Sequence, residues 1–364
     1  MPTPRRADPA RVEQLLGVLE AALVSRLPGG RGMELAAELR ERLEVSAGHL
    51  LDGVNPARED ASPRWDEARA AAYAPTEHTG AVHLEVGVWT AFGAVRTEEL
   101  RAGDGLAEFI RLDSDPEVEC DVVADAESLP FAAGSIDRVA SNSVLEHTAH
   151  PQRVVEETLR VLRPGGVMVV VMPFVWWLHG YPHDYVRLTP MWFQRVCREV
   201  GFAAVEVDVD TSGGLYNVLH NVSKHAAVTA GRPETDAMRE LHELAITLLG
   251  ALVPFDRFFE DGARSWFHSV RVLARAPGRY EPRGRDRGSG DFASRTLDLL
   301  AAPRTKAPLE RARGHLVDRG DGAAYPVDAA GRVDFLHPSA VPSGPGERLR
   351  GLESRLRARA RRTS

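Results

Sequence analysis

Acidic and amide side chains follow predicted strands in the central part of the chain. Glu85 and Gly87 close one apolar run, Asp113 closes the next, and Asp125 and Asn142 follow two more. Open parallel sheets bind ligands beyond the carboxyl ends of their strands, where the strand order reverses. An acid there can pair with an ammonium group or accept ribose hydroxyls, and a glycine lets a ligand approach the backbone closely. The pattern therefore predicts a site for a nucleotide-type ligand.

Some of these residues also have a purely structural interpretation. The first acid and glycine could simply end a strand in a turn, and Asp113 precedes the turn-forming residues 114–116. Glu146 and His147 enter a predicted helix, where an acid is favoured by the helix dipole without any chemical role. We expect this pair to orient the start of the helix.

A second polar segment contains His179, His183 and Asp184. These residue types can bind a divalent metal, but the Gly/Pro loop that carries them lacks helical i, i+4 geometry, and we assign no metal ligand here. His179 or His183 could instead act as a general base, because histidine titrates near neutral pH. The structural alternative is a loop that Tyr185 and Arg187 tie to the sheet.

Alternating strands and helices must position these side chains. The apolar pattern predicts strands at Ala81–Val88, Leu106–Leu112, Cys120–Val123, Ser135–Ser141, Val167–Met172, Ala203–Val209 and Ser269–Ala276. Helices are predicted at Pro151–Leu162 and from Pro190 to Val200. This rhythm is typical of an α/β fold with a Rossmann-like, doubly wound, mostly parallel sheet.

Three regions are expected along the chain. Residues 1–78 form a helical N-terminal cap, with helices from Asp8 to about Leu27 and from Met33 to Leu43. Residues 79–276 form the Rossmann-like domain, with a helical insert at about 216–266. Residues 277–364 form a loosely ordered C-terminal extension rich in Gly, Pro and Arg, with a short helix near 294–301 and a possible hairpin at 324–335.

Composition limits the class of protein. The chain has 364 residues, of which 43% are apolar and 27% are charged, as in ordinary globular proteins. Two cysteines are too few for a disulfide framework, and the longest apolar run is too short to cross a bilayer. The net charge of −7 argues against a dedicated nucleic-acid binder, although the last twenty residues are rich in arginine. We expect a cytoplasmic protein with no transmembrane segment and no nucleic-acid partner, and the oligomeric state is open.

An ordered series of motifs carries a family resemblance. The series comprises Asp121–Phe131, Ile136–Val139, Val144–His147 and the Arg160–Gly166 turn. Together these segments resemble the class I S-adenosylmethionine-dependent methyltransferases of the type 11 kind, and residues 179–190 are similar to a subgroup of that family. The strong part of the resemblance covers about a third of the chain.

The resemblance implies a cofactor, S-adenosyl-L-methionine, and a role for each strand end. Glu85 and Gly87 would line its methionine moiety, and Asp113 would hold its ribose. Asp125 would bind the adenine amino group with the Ala126 backbone beside it, and Asn142 would lie next to the sulfonium. The implied activity is methyl transfer to a small or medium-sized acceptor, with His179 or His183 as base.

One position departs from the family pattern. Trp89 stands where the family usually has a second glycine, within Gly87–Gly93. The indole could fill the cofactor pocket, or the loop could be rerouted so that Gly93 takes over. Two alternatives therefore stay open: a non-catalytic binding or scaffold protein with a degenerate cofactor loop, and an enzyme that uses the same fold for other chemistry.

Overall fold

The computed structural model describes residues 81–88, 108–180, 182–209, 214–229, 267–281, 290–312 and 314–339, with isolated positions in 13–41 and 245–253. The described positions in 13–41 are mainly helical, and Arg40 pairs there with Glu13 at 2.6 Å and Glu20 at 2.9 Å. Most of the predicted helical insert at about 216–266 lies outside the described residues. None of the described helices is both long and apolar enough to cross a bilayer.

An eight-stranded sheet forms the centre of the molecule, in the order β11-β3-β2-β1-β4-β5-β7-β6. Strand β7 runs antiparallel to its neighbours β5 and β6, and the remaining neighbours pair in parallel. The strands are β1 (Val82–Val86), β2 (Glu108–Asp113), β3 (Val122–Val123), β4 (Ile136–Asn142), β5 (Leu162–Pro173), β6 (Ala204–Val209), β7 (Ser269–Arg275) and β11 (Val333–Asp334). The Rossmann-like, mostly parallel sheet predicted from the sequence is confirmed.

Helices and a second sheet complete the described fold. The helices are α1 (Pro151–Val161), α2 (Pro190–Val200), α3 (Leu215–Thr229) and α4 (Phe292–Thr296). Thr189 caps α2, since its hydroxyl accepts a hydrogen bond from the Trp192 amide, as its place before a proline predicts. The second sheet is antiparallel and consists of β8 (Leu309–Ala312), β9 (His315–Asp318) and β10 (Ala324–Pro326).

The core lies on both faces of the central sheet. Leu84 on β1, Ile110 on β2 and Met168 on β5 are each at most 1% exposed. Such continuous apolar runs are typical of parallel strands that are covered on both faces. Buried Asp137 on β4 holds the edge of this core, because its carboxylate accepts from the Val82 amide at 2.8 Å and from Arg163 at 2.7 Å.

Residues 290–339 of the extension are more regular than the sequence predicts. Strand β11 adds to the edge of the sheet beside β3, where the Val333 amide donates to the Asp121 carbonyl at 3.1 Å. The possible hairpin is present as a short antiparallel turn, in which Val327 bridges Val333 and the Asp328 amide donates to the Arg332 carbonyl at 3.0 Å, while β10 also pairs with β9 and β11 with β3. Lys306 also reaches Glu157 on α1 at 2.8 Å. This part of the extension is therefore packed on the Rossmann-like domain.

Candidate functional site

The carboxyl ends of β3, β2, β1 and β4 lie side by side in that order. They bring Asp125, Asp113, Gly87 and Asn142 to one edge of the sheet. Since neighbouring strands are about 4.8 Å apart, the row spans about 14 Å. The chain builds outward from β1 through β2 to β3 and then returns to place β4 on the other side of β1. The row therefore crosses the switch point, as the sequence predicts.

Gly87 ends β1 in a conformation that suits glycine. Its φ is +79°, and its amide donates to the Leu112 carbonyl at 2.8 Å. A Cβ atom at this position would lie 2.1 Å from Cγ2 of Val144, which follows β4. The loops after β1 and β4 therefore touch through this glycine. Glu85 lies half-buried on β1, in register with Arg111 and Ala140.

Asp113 joins the turn after β1 to the turn after β2. Its Oδ2 accepts from the Val88 amide at 2.8 Å, and its Oδ1 accepts from the Asp115 amide at 2.9 Å. The side chain is 9% exposed. Asp113 thus has the structural role in a turn that its sequence context predicts as one alternative. Each of its carboxylate oxygens also keeps a further lone pair that can accept a hydrogen bond.

Asp125 and Asn142 are exposed at the two ends of the row. Asp125 caps the 3-10 turn Ala126–Ser128, where its Oδ1 accepts from the Glu127 amide at 2.8 Å, and Ala126 is buried behind it. The Asn142 side-chain oxygen accepts from the Ser143 hydroxyl at 3.3 Å. Trp89 and Gly93 lie outside the described residues, so the effect of the indole on this edge stays a prediction.

A second group of side chains follows β4 and β5. Glu146 and His147 belong to the 3-10 turn Leu145–His147, and His179 lies beyond β5. Oε1 of Glu146 is 3.8 Å from Nε2 of His147 and 3.7 Å from Nε2 of His179. The Glu146 side chain is fully buried, and burial raises its pKa to about 7. Burial also lowers the pKa of His147.

The other nitrogens of the two imidazoles fix their tautomers. Nδ1 of His147 is 2.6 Å from the His183 carbonyl, and Nδ1 of His179 is 3.1 Å from the Trp177 carbonyl. A carbonyl can only accept, so each Nδ1 carries the hydrogen and each neutral ring has its lone pair on Nε2. The two nitrogens that carry the lone pairs are therefore the ones that lie within 3.8 Å of the Glu146 carboxylate.

The loop 179–185 is held by its own polar contacts. Asp184 accepts from the His179 amide at 2.9 Å and pairs with Arg187, whose guanidinium lowers the pKa of Asp184 to about 2. Gly180, at φ +62°, passes so close to the His147 ring that a Cβ would lie 2.6 Å from its Cε1. Arg187 thus ties the loop to itself and to the Trp177 carbonyl, and the Tyr185 amide ties it to the Glu146 carbonyl.

The predicted catalytic histidines have different surroundings. His183 is exposed, and its Nδ1 lies 2.7 Å from the Tyr185 hydroxyl. His179 faces Glu146 instead. The structure therefore groups His179 with Glu146 and His147 rather than with His183. Sequence reasoning missed this group, although the signal was present as polar residues after two neighbouring strands.

Comparison with known proteins identifies a methyltransferase domain. Residues 92–170 match a family model described as a methyltransferase domain of type 11, which confirms the resemblance stated above. An uncharacterized methyltransferase of Mycolicibacterium gilvum is 49% identical over 57 residues, which are 16% of this chain and 22% of the relative. The 2-methyl-6-phytyl-1,4-hydroquinone methyltransferase 1 of Oryza sativa subsp. japonica is 33% identical over 94 residues, or 24% of this chain and 27% of the relative.

The matched part thus spans about a quarter of the length of these curated relatives. Among solved structures, phosphoethanolamine N-methyltransferase 2 of Haemonchus contortus, in complex with S-adenosyl-L-methionine, is 15% identical with a TM-score of 0.37. That similarity covers 59% of this chain and 53% of the other.

Proposed function

We propose that this chain, which carries a methyltransferase domain at residues 92–170, transfers a methyl group from S-adenosyl-L-methionine to a small or medium-sized acceptor. The main support is the row of Asp125, Asp113, Gly87 and Asn142 across four adjacent strand ends. These groups are suited to an elongated ligand with a base, a ribose and an ammonium group. Asp125, Asp113 and Gly87 follow in the order of the adenine, ribose and methionine moieties, and Asn142, on the far side of Gly87, would face the sulfonium that joins ribose to methionine.

The polar groups in the row fit the proposed cofactor. The exposed carboxylate of Asp125 can accept from the adenine amino group beside the Ala126 backbone. Asp113 can accept from ribose hydroxyls through its remaining lone pairs, and Glu85 can pair with the ammonium group of the methionine moiety at Gly87. Asn142 would lie next to the sulfonium. When bound, the cofactor supplies a methyl group activated by that positive sulfur.

The chemical step would be an in-line displacement at the methyl carbon. The protein would chiefly align the acceptor nucleophile with that carbon, and such alignment contributes about 7–11 kcal/mol in well-oriented systems. If the acceptor is a hydroxyl, His183 is the better placed base, because its ring is exposed and its described polar contact is the Tyr185 hydroxyl. His179, the other candidate base, has its Nε2 directed at Glu146.

The acceptor would lie beyond β4 and β5, between Asn142 and the loop 179–185. Residues that select the acceptor would lie outside the matched methyltransferase domain at 92–170.

Removal of the Asp125 carboxylate tests the cofactor assignment. We expect Asp125→Ala to weaken S-adenosyl-L-methionine binding about tenfold or more, since a charge-assisted hydrogen bond is worth about 1.5–3 kcal/mol. Glu117→Ala removes the same charge from an exposed position after β2 and should leave the affinity unchanged. Equal affinities for both variants, measured by calorimetric titration, would remove Asp125 from the site.

The binding or scaffold alternative rests on Trp89. It predicts that the folded wild-type chain binds neither S-adenosyl-L-methionine nor its demethylated product. Titration of the wild-type chain with both compounds therefore separates the two functions.

A further inference from the structure

We propose that Glu146, His147 and His179 form a binding site for a first-row divalent transition metal ion of the Zn²⁺ or Fe²⁺ type. The three residues offer one ligand atom each, and these atoms all lie within 4.8 Å of one another. The site lies after β4 and β5, apart from the row of Asp125, Asp113 and Gly87. This inference goes beyond methyl transfer and does not depend on it.

The main argument is that three electron-pair donors converge without a hydrogen between them. Nδ1 of each histidine is committed as a donor to a carbonyl, so both Nε2 atoms carry lone pairs. Both Nε2 atoms lie within 3.8 Å of Oε1 of Glu146, itself an acceptor when ionised. A shared cation, a metal ion or an added proton, makes such an arrangement favourable.

Burial makes a negative charge on Glu146 costly. The Glu146 side chain is 0% exposed, and neither of its carboxylate oxygens has a hydrogen-bond partner among the described residues. The nearby Arg187 guanidinium makes no hydrogen bond to this carboxylate. It bonds to Asp184 and to the Trp177 carbonyl, and its buried Nε has no hydrogen-bond partner among the described residues. An isolated buried carboxylate is strongly destabilising unless a cation or a proton compensates its charge.

The distances require little movement to hold a metal. Zinc bonds of about 2.0–2.1 Å in tetrahedral geometry separate the ligand atoms by about 3.4 Å. Oε1 of Glu146 is already 3.7 and 3.8 Å from the two Nε2 atoms. Small side-chain rotations would close the remaining gap.

The surroundings of the two histidines match those of metal ligands. A metal-binding histidine usually donates its second ring N–H to a carbonyl or carboxylate, which fixes the ring. His147 donates to the His183 carbonyl, and His179 donates to the Trp177 carbonyl with Asp184 Oδ2 at 3.3 Å. Gly180 leaves room for the His147 ring.

The ligand types select the class of metal. Two imidazoles and one carboxylate suit zinc and iron, whereas magnesium and calcium prefer oxygen ligands. Three protein ligands also leave at least one position for water or another oxygen ligand.

Metal titration of the full chain tests this proposal. We expect one equivalent of Zn²⁺ to bind in calorimetry, one equivalent of Co²⁺ to give the visible absorption of a low-coordinate site, and Mg²⁺ not to compete. Glu146→Gln keeps the side-chain volume and removes the charge, and we expect it to lower the Zn²⁺ affinity by more than about 100-fold, since even loss of a supporting partner costs 10–100-fold. His183→Ala is the matched control, because it removes a histidine from the same loop whose ring faces Tyr185.

Thermal unfolding provides the second measurement. Zn²⁺ should raise the melting temperature of the wild type and of His183→Ala, but not that of Glu146→Gln. Should Glu146→Gln fail to fold, the part-exposed His179→Ala serves in its place. Absence of Zn²⁺ and Co²⁺ binding by the wild type would overturn the proposal and assign the shared cation to a proton. Equal Zn²⁺ affinity in the wild type and the Glu146 and His179 variants would overturn it as well.

Discussion

The contact between Gly87 and Val144 gives a prediction that can be calculated from the structure. In Gly87→Ala the new Cβ would lie 2.1 Å from Cγ2 of Val144, well inside the usual carbon–carbon separation of about 3.5–4.0 Å. Relief of such overpacking costs about 1–3 kcal/mol. The left-handed φ of +79° adds about 1–2 kcal/mol for any residue with a Cβ. We therefore expect Gly87→Ala to lower the free energy of unfolding by about 2–5 kcal/mol.

Two control variants separate these two costs. Gly134→Ala has a similar φ of +63° but open space around the new Cβ, so it should lose only the conformational part, about 1–2 kcal/mol. Val144→Ala removes the atoms that collide. The double variant Gly87→Ala/Val144→Ala should therefore be less destabilised than the sum of the two single changes, by about 1–3 kcal/mol.

Urea unfolding of the four variants and the wild type, followed by circular dichroism, provides the measurement. Additivity of the two single changes within about 0.5 kcal/mol would refute the contact between the loops after β1 and β4. Equal losses in Gly87→Ala and Gly134→Ala would refute it too. Because Gly87 also borders the proposed cofactor row, we expect Gly87→Ala to weaken S-adenosyl-L-methionine binding when measured on the folded fraction.

Three further predictions concern acid stability, the extension and turnover. Burial lowers the pKa of His83 to about 3, so below pH 6.5 the unfolded chain binds a proton that the folded chain does not bind. Between pH 7 and pH 5 the wild type should therefore lose about 2 kcal/mol of unfolding free energy that His83→Gln does not lose, and urea unfolding curves with the same loss in both proteins would contradict this. Val333→Asp places a charge at a fully buried position of β11 and should lower the free energy of unfolding by at least about 3 kcal/mol. Leu336→Asp, at a position that is 37% exposed, should change it by no more than about 0.5 kcal/mol, and similar urea midpoints for the two variants would mean that β11 does not pack on β3. His183→Ala should reduce methyl transfer to any acceptor found by screening and leave cofactor affinity intact, and full turnover would exclude His183 as the base.

The sheet was predictable because its strands are apolar on both faces. The runs ending at Val86 and Asp113 are long enough to be recognised, and helices of ordinary length separate later strands. Strand β11 is different, because it has two residues and lies among glycines and prolines. It is a strand because Val333 and Phe335 bond to the edge of β3, a contact that is remote in the sequence.

The two parts of the candidate site were predictable to different degrees. Asp113 and Asp125 follow parallel strands, and the carboxyl ends of such strands share one edge, so their proximity could be inferred from order alone. The approach of His179 to Glu146 depends on the path of the loop after β5. That path is set by the Tyr185 amide, which donates to the Glu146 carbonyl at 2.8 Å, and by Gly180. Neither contact follows from strand order.

The central claim is that the strand-end row binds S-adenosyl-L-methionine. Its most direct test is calorimetric titration of the folded wild-type chain with S-adenosyl-L-methionine and with its demethylated product. We predict saturable binding of both at one site per chain, with affinity in the micromolar range. Absence of binding by either compound to a sample with a cooperative unfolding transition would contradict the methyltransferase proposal and favour the binding or scaffold alternative.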